Sequence, residues 1–152
     1  MIRLGKLKDF KKILIIFKEV QNLHAENEPE IFKFTDPINS TSFKEMLKNK
    51  EIKIFVSENN KEIDGFLIGK VIETESNLTL PRKLFAIETL AVLKKSQKKN
   101  IGKNLISTAK SFANKEKCDG LILSVWSFNE NAFNFYKHLG FEEKSIKMEL
   151  KI

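Results

Sequence analysis

Apolar and polar positions change rhythm near the middle of the chain. In the first half, Phe10, Ile13, Leu14, Phe17 and Val20 recur as one helical stripe, behind Asp9 as a candidate N-cap and after a short strand at residues 2–4. Glu26-Asn27-Glu28-Pro29 ends that helix. Ser42-Phe43-Lys44-Glu45 has a capping-box pattern and predicts a second short helix burying Phe43, Met46 and Leu47. Residues 52–56 read as a strand, 57–61 as an Asn-rich turn and 63–72 as the hairpin partner. A polar loop at 73–77 and a third long strand at 84–92 complete an antiparallel meander.

In the second half the helical period returns. Ile101, Leu105, Ala109, Phe112 and Ala113 mark an amphipathic helix, and residues 121–125 form a short, nearly continuous apolar strand. Ala132, Phe135, Tyr136 and Leu139 mark a further helix stopped by Gly140, and residues 141–150 read as a final strand. The predicted order is β-α-α-β-β-β-α-β-α-β, an α/β fold with a mixed sheet and helices on both faces. No repeat, linker or composition break divides it, so residues 1–152 are expected to form a single domain.

Composition narrows the class more than the function. With 41% hydrophobic and 31% charged residues the chain reads as an ordinary globular protein. No apolar run suits a membrane span, residues 1–6 lack the apolar stretch of a secretory leader, and Cys118 is the only cysteine. A reducing, cytoplasmic setting is the expectation, with Cys118 a structural thiol beside a strand. Lys and Arg outnumber Asp and Glu 27 to 20, a net charge of +7. That excess admits an anionic ligand or nucleic acid. The phenylalanines fall on buried periodic positions rather than interleaving with basic residues on an exposed element, which argues against nucleic acid.

One basic cluster lies inside a motif. Leu90-Ala91-Val92 leads through Leu93-Lys94-Lys95-Ser96 into Gln97-Lys98-Lys99-Asn100-Ile101-Gly102-Lys103, a strand joined directly to a helix. The first helical N–H groups have no intrahelical partners there, and the helix dipole adds partial positive charge, so a phosphate is the usual guest. Asn100 and Gly102 are residue types that take a left-handed backbone or let backbone approach an anion closely. The plainer reading of the same residues is a solvated lysine-rich loop.

This stretch resembles the acetyl-CoA signature of GNAT acetyltransferases, Arg/Gln-x-x-Gly-x-Gly/Ala, with Asn100 in place of the first glycine. A second block, Asn129-Glu130-Asn131-Ala132-Phe133-Asn134-Phe135-Tyr136-Lys137-His138-Leu139-Gly140-Phe141, is similar to the family's Asn-x-x-Ala-x-x-x-Tyr-x-x-x-Gly-Phe. The resemblance implies a GNAT fold and transfer of an acetyl group from acetyl-CoA to a primary amine by direct attack on the thioester, with no metal. It implies that Gln97, Lys98, Lys99, Asn100, Ile101, Gly102 and Lys103 hold the pyrophosphate and that Leu90, Ala91 and Val92 pair with the pantetheine amides. Asn129 would contact CoA, although a plain N-cap is equally good physics for it.

Tyr136, the only tyrosine, falls on the family's general-acid position; packing on a helix face is its other reading. Glu88 lies two residues before Leu90, so strand alternation places it on the side of Leu90 and Val92, where it could act as base or simply pair with a lysine. Ribosomal-protein N-terminal acetyltransferases carry a glutamate where this chain has Ser124. His24, Phe32, Glu26, Glu28 and Glu30 fall in the region that shapes the family's acceptor pocket, and the glutamates would suit a cationic amine, whether a small molecule, a protein N-terminus or a lysine. A non-catalytic acyl-CoA-binding domain is the alternative. A homodimer is open.

Overall fold

The computed structural model describes residues 1–152. Nine elements follow the chain: β1 (Ile2–Leu4), α1 (Phe10–Asn27), α2 (Ser40–Lys48), β2 (Ile52–Asn59), β3 (Glu62–Ser76), β4 (Thr79–Val92), α3 (Ile101–Lys115), β5 (Gly120–Ile122) and α4 (Glu130–His138). They build one sheet in the order β1-β2-β3-β4-β5, antiparallel except for the parallel β4–β5 pair. Both hairpins run further than the apolar pattern predicts. Asn60 and Lys61 take φ of 50° and 65°, the left-handed pair that matches strand twist in a two-residue turn. Residues 73–76 are strand, and only Asn77 and Leu78 turn. Glu73 faces Lys83 and Thr74 faces Arg82 across the ladder, so solvated polar side chains extend the strands.

Two helix starts also differ from the sequence reading. Asn39 caps α2, its side chain accepting from the Ser42 N–H, which puts Ser42 inside the helix. Asp9 stands at the N-cap position of α1, but its side chain makes no cap hydrogen bond there. Its buried carboxylate accepts from the Lys6 N–H at 2.8 Å and from both terminal nitrogens of Arg3 at 2.7 and 2.9 Å. Arg3 reaches Glu58 as well, at 2.6 Å, and so joins β1, the start of α1 and the end of β2. The hydrogen bonds from Arg3 hold the Asp9 carboxyl below its ordinary pKa, against the opposing effect of burial. Arg3→Ala is expected to cost about 2 kcal/mol, between the values for exposed and fully buried pairs. A depressed carboxylate contributes stability that is present above its unfolded pKa and lost on acidification. Urea melts of the variant should therefore differ from the parent at neutral pH and converge as pH falls below 4.

The two faces of the sheet carry separate cores. Ile13 and Ile16 of α1 and Phe43 of α2 pack on Ile54, Val56, Phe66 and Ile68. On the other face Leu105, Ile106 and Ala109 of α3 pack on Phe55, Leu67, Phe85 and Ile87, with Phe135, Tyr136 and Leu139 of α4 at the margin. Alternation along β2 and β3 sends successive apolar residues to opposite cores, as a sheet covered on both sides requires.

The predicted last strand does not form. Residues 141–150 pair with no strand, and Ile146, Met148 and Leu150 are 82%, 87% and 88% exposed. The alternating pattern is that of a strand, but the backbone beyond Phe141 meets no strand edge within the chain. Gly140 turns the chain out of α4 at φ 90°, with Gly140 N–H to Lys137 and Phe141 N–H to Tyr136 closing a Schellman cap as its position predicts. Phe141 then rests on the Tyr136 ring, and Lys151 at the far end reaches Glu30 at 2.8 Å.

Candidate active site

Parallel pairing of β4 with β5 lasts for three residues, Leu84, Phe85 and Ala86 against Gly120, Leu121 and Ile122. It stops where β4 carries an extra residue. Ile87 pairs with Gly69 and Thr89 with Ile68, leaving Glu88 without a partner on β3, a β-bulge. Phe85, Ile87, Leu90 and Val92 all join the α3-side core, so alternation skips one position at Glu88. This corrects the expected placement: exposed Glu88 is not on the side of Leu90 and Val92. The bulge bends β4, and beyond it β4 and the 123–126 segment run without pairing. The open edge of Leu90, Ala91 and Val92 therefore borders a cleft.

At the end of β4 the main-chain N–H of Lys94 donates to Glu19 of α1, and the Gln97 side chain donates to the Val92 carbonyl at 3.3 Å. The following turn has two left-handed residues, Lys98 at φ 63° and Asn100 at φ 60°. Asn100 is the N-cap of α3 but gives no side-chain cap, and the N–H groups of Lys98, Lys99, Asn100, Ile101, Gly102 and Lys103 meet no acceptor in the protein. Left-handed residues interleaved with others turn successive N–H groups into a concave nest. Lys94, Lys95, Lys98, Lys99 and Lys103 enter no ion pair. Unsatisfied donors at a helix start, ringed by unpaired ammonium groups, fit a pyrophosphate.

Gly102 also has a packing role. A Cβ there would stand 3.0 Å from Phe135 of α4, so its small size seats α4 against the start of α3. Gly102→Asp is accordingly expected to loosen α4 as well as repel an anion. Asn100 is the cleaner probe of the nest. Asn100→Gly is expected to fold and bind CoA as the parent does, whereas Asn100→Val meets a left-handed penalty of about 1–2 kcal/mol and loses affinity. Thermal melts with a CoA titration check both.

Tyr136 follows Phe135 on α4, its ring 5.2 Å from Phe135 and 5.4 Å from Phe141 between centroids. Burial pushes its phenol up to about 12, and its hydroxyl hydrogen-bonds to no protein group. Asn129 caps α4, accepting from the Ala132 N–H at 3.1 Å. His138 bonds the Asn134 carbonyl at 2.6 Å, a helix-end contact. Cys118 is half-buried, and burial raises its thiol, the opposite of an activated nucleophile.

Across the cleft the structure gathers residues that lie about a hundred positions apart in sequence. His24 lies 4.8 Å from Phe32 and 5.7 Å from Phe128, and Phe32 lies 5.0 Å from Trp126 edge-on. Burial lowers the His24 pKa, so the ring is neutral at pH 7. Phe128 escaped the sequence reading because its spacing fits no helix or strand stripe. A separate hollow lined by Phe10, Leu14, Pro37 and Ile38 lies at the start of α2, away from this cleft. No cluster of His, Cys, Asp and Glu suited to a metal is present, and no helix is long and apolar enough to cross a membrane.

The sequence profile of the Acetyltransferase (GNAT) family matches residues 17–141, and the chain belongs to that family. It is 27% identical over 143 residues to an uncharacterized N-acetyltransferase, YhfO, of Bacillus subtilis, covering 93% of this chain and 89% of that one. It is 31% identical over 109 residues to an N-alpha-acetyltransferase of Sulfurisphaera tokodaii, covering 68% and 65%. Among solved structures, a mutant of the BH1408 protein from Bacillus halodurans superposes with a TM-score of 0.97 at 21% identity over 100% of this chain and 99% of that one. An aminoglycoside N-acetyltransferase in complex with CoA superposes at 0.77 with 14% identity over 100% and 98%.

Proposed function

We propose that this protein transfers an acetyl group from acetyl-CoA to a cationic amine whose body is held by an aromatic wall. The nest of unsatisfied N–H groups at the start of α3, set at the end of a strand edge opened by the Glu88 bulge, carries this reading. Those N–H groups and the neighbouring lysines would hold the pyrophosphate, and the free edge of β4 would pair with an extended amide chain. Bound acetyl-CoA supplies an activated acyl group. Once its ammonium form has shed one proton, the amine nitrogen attacks the carbonyl with its lone pair, the C–S bond breaks, Tyr136 protonates the departing thiolate, and the second proton leaving nitrogen restores the phenol. Glu88, exposed at the bulge, accepts the first of these protons, through water.

The acceptor side follows from the aromatic group. His24, Phe32, Trp126 and Phe128 offer ring faces that attract a cation, and neutral His24 adds no opposing charge. Glu26 and Glu28 border the same loop and favour positive ligands, Glu30 being paired with Lys151. Thiol release from acetyl-CoA over a panel of amines tests the proposal. Release with cationic amines and none with neutral or anionic ones is expected. CoA binding without thiol release for any amine would leave only a binding domain.

A further inference from the structure

His24 and His138 stand in the same local setting, the last turn of a helix, and use it differently. A ring nitrogen there can bond the carbonyl one turn back, as His138 does with Asn134 at 2.6 Å. His24 makes no such bond, and neither of its nitrogens meets a polar group of the protein, although Gln21 and Asn27 beside it both bond main-chain carbonyls. Its ring is turned instead onto Phe32, 34° from parallel at 4.8 Å. It meets Phe128 edge-on at 5.7 Å and Trp126 at 6.5 Å. Three segments thus fix the plane of an imidazole whose polar atoms serve nothing in the fold: α1, the α1–α2 connection and the stretch after β5.

The charged residues on those segments are Glu26, Glu28, Glu30, Lys33 and Glu130, and burial rather than any of them lowers the His24 pKa. The ring is therefore neutral at pH 7 and keeps one lone pair and one N–H. Phenylalanine has no hydrogen-bonding atom and the Trp126 indole only donates, so that lone pair is the one acceptor among the four side chains of the wall. Ring faces attract any cation, with or without N–H groups. The lone pair tells the two apart.

We propose that His24 selects and orients the acceptor, its free ring nitrogen accepting a hydrogen bond from an ammonium group while the apolar body of the same molecule lies on Phe32, Trp126 and Phe128. This rests on the acceptor reading above and narrows it. The site takes a primary or secondary ammonium attached to an apolar group and disfavours a quaternary one of similar shape. Protonation of the ring removes the lone pair and adds a like charge, so the affinity falls on acidification.

Benzylammonium and benzyltrimethylammonium share a ring and a charge and differ in N–H groups. Titrated into the CoA-saturated protein, the first should bind about 10- to 100-fold more tightly, the worth of a hydrogen bond to a charged group. His24→Phe should erase that preference and the pH dependence of binding, with CoA affinity as in the parent. In the parent the ring nitrogen signals of His24 should move to hydrogen-bonded values with benzylammonium alone, His138 staying unmoved, a readout that needs no variant. Equal affinity of the parent for the two compounds overturns the proposal, and so does a preference that survives His24→Phe. If neither compound binds, the proposal falls together with the acceptor reading. The expected preference without thiol release from acetyl-CoA overturns acetyl transfer alone and supports the role of His24.

Discussion

Tyr136→Phe is expected to lower turnover by about 10²- to 10⁴-fold with CoA affinity unchanged, the loss typical of one positioned acid. The substitution keeps the ring that packs between Phe135 and Phe141 and removes only a hydroxyl that bonds to nothing in the protein. An interaction made only in the transition state lowers kcat and kcat/KM together. The pH profile gives an independent mark. With the phenol pushed up to about 12 by burial, no decline belonging to Tyr136 should appear up to pH 10, where an ordinary tyrosine begins to ionise. Stability carries the same signature. A group that holds its proton more tightly folded than unfolded stabilises the fold at low pH, and that contribution is lost as pH rises from 10 toward 12. The decline amounts to about 2–3 kcal/mol, and the phenylalanine variant, with nothing to ionise, should not show it. Full activity in the variant would assign the ring to packing alone.

CoA is expected to raise the melting temperature strongly. If it binds with micromolar affinity, 1 mM ligand stabilises the folded state by about 4 kcal/mol. In a chain of this size that corresponds to roughly 8–16 °C. On the proposed reading the nest of free N–H groups at Lys98 to Lys103 is the source, so Asn100→Val should shrink the shift and Asn100→Gly should not. Absence of any shift at millimolar CoA would remove the phosphate reading of the α3 start.

Much of this was legible from residue spacing, because helical stripes and strand alternation depend on near neighbours. The α3 start and the Gly140 cap were read correctly for the same reason: left-handed backbone is a property of one residue and its type. What failed were features decided at a distance. The Glu88 bulge exists because β3 pairs across it, and nothing in Ile87-Glu88-Thr89 announces a skipped position. Asp9 looked like a cap until Arg3, six residues earlier, took its carboxylate. The packing demand on Gly102, a Phe135 ring where a side chain would stand, comes from α4 and could not be read from its neighbours. Phe128 joined His24 only through the fold. The tail has the alternation of a strand, but alternation cannot say whether an edge lies within reach to receive it.

The bulge at Glu88 has a meaning for how such a site is inherited. Phe85 and Ile87 precede it and Leu90 and Val92 follow it on one face, so removing that single residue would restore strict alternation without moving any side chain to the other core. β4 could then run straight and continue pairing with residues 123–126, sealing the sheet. On the function proposed above, the opening for coenzyme and acceptor comes down to one residue inserted into an otherwise regular strand, and its deletion would leave a well-packed protein without that opening.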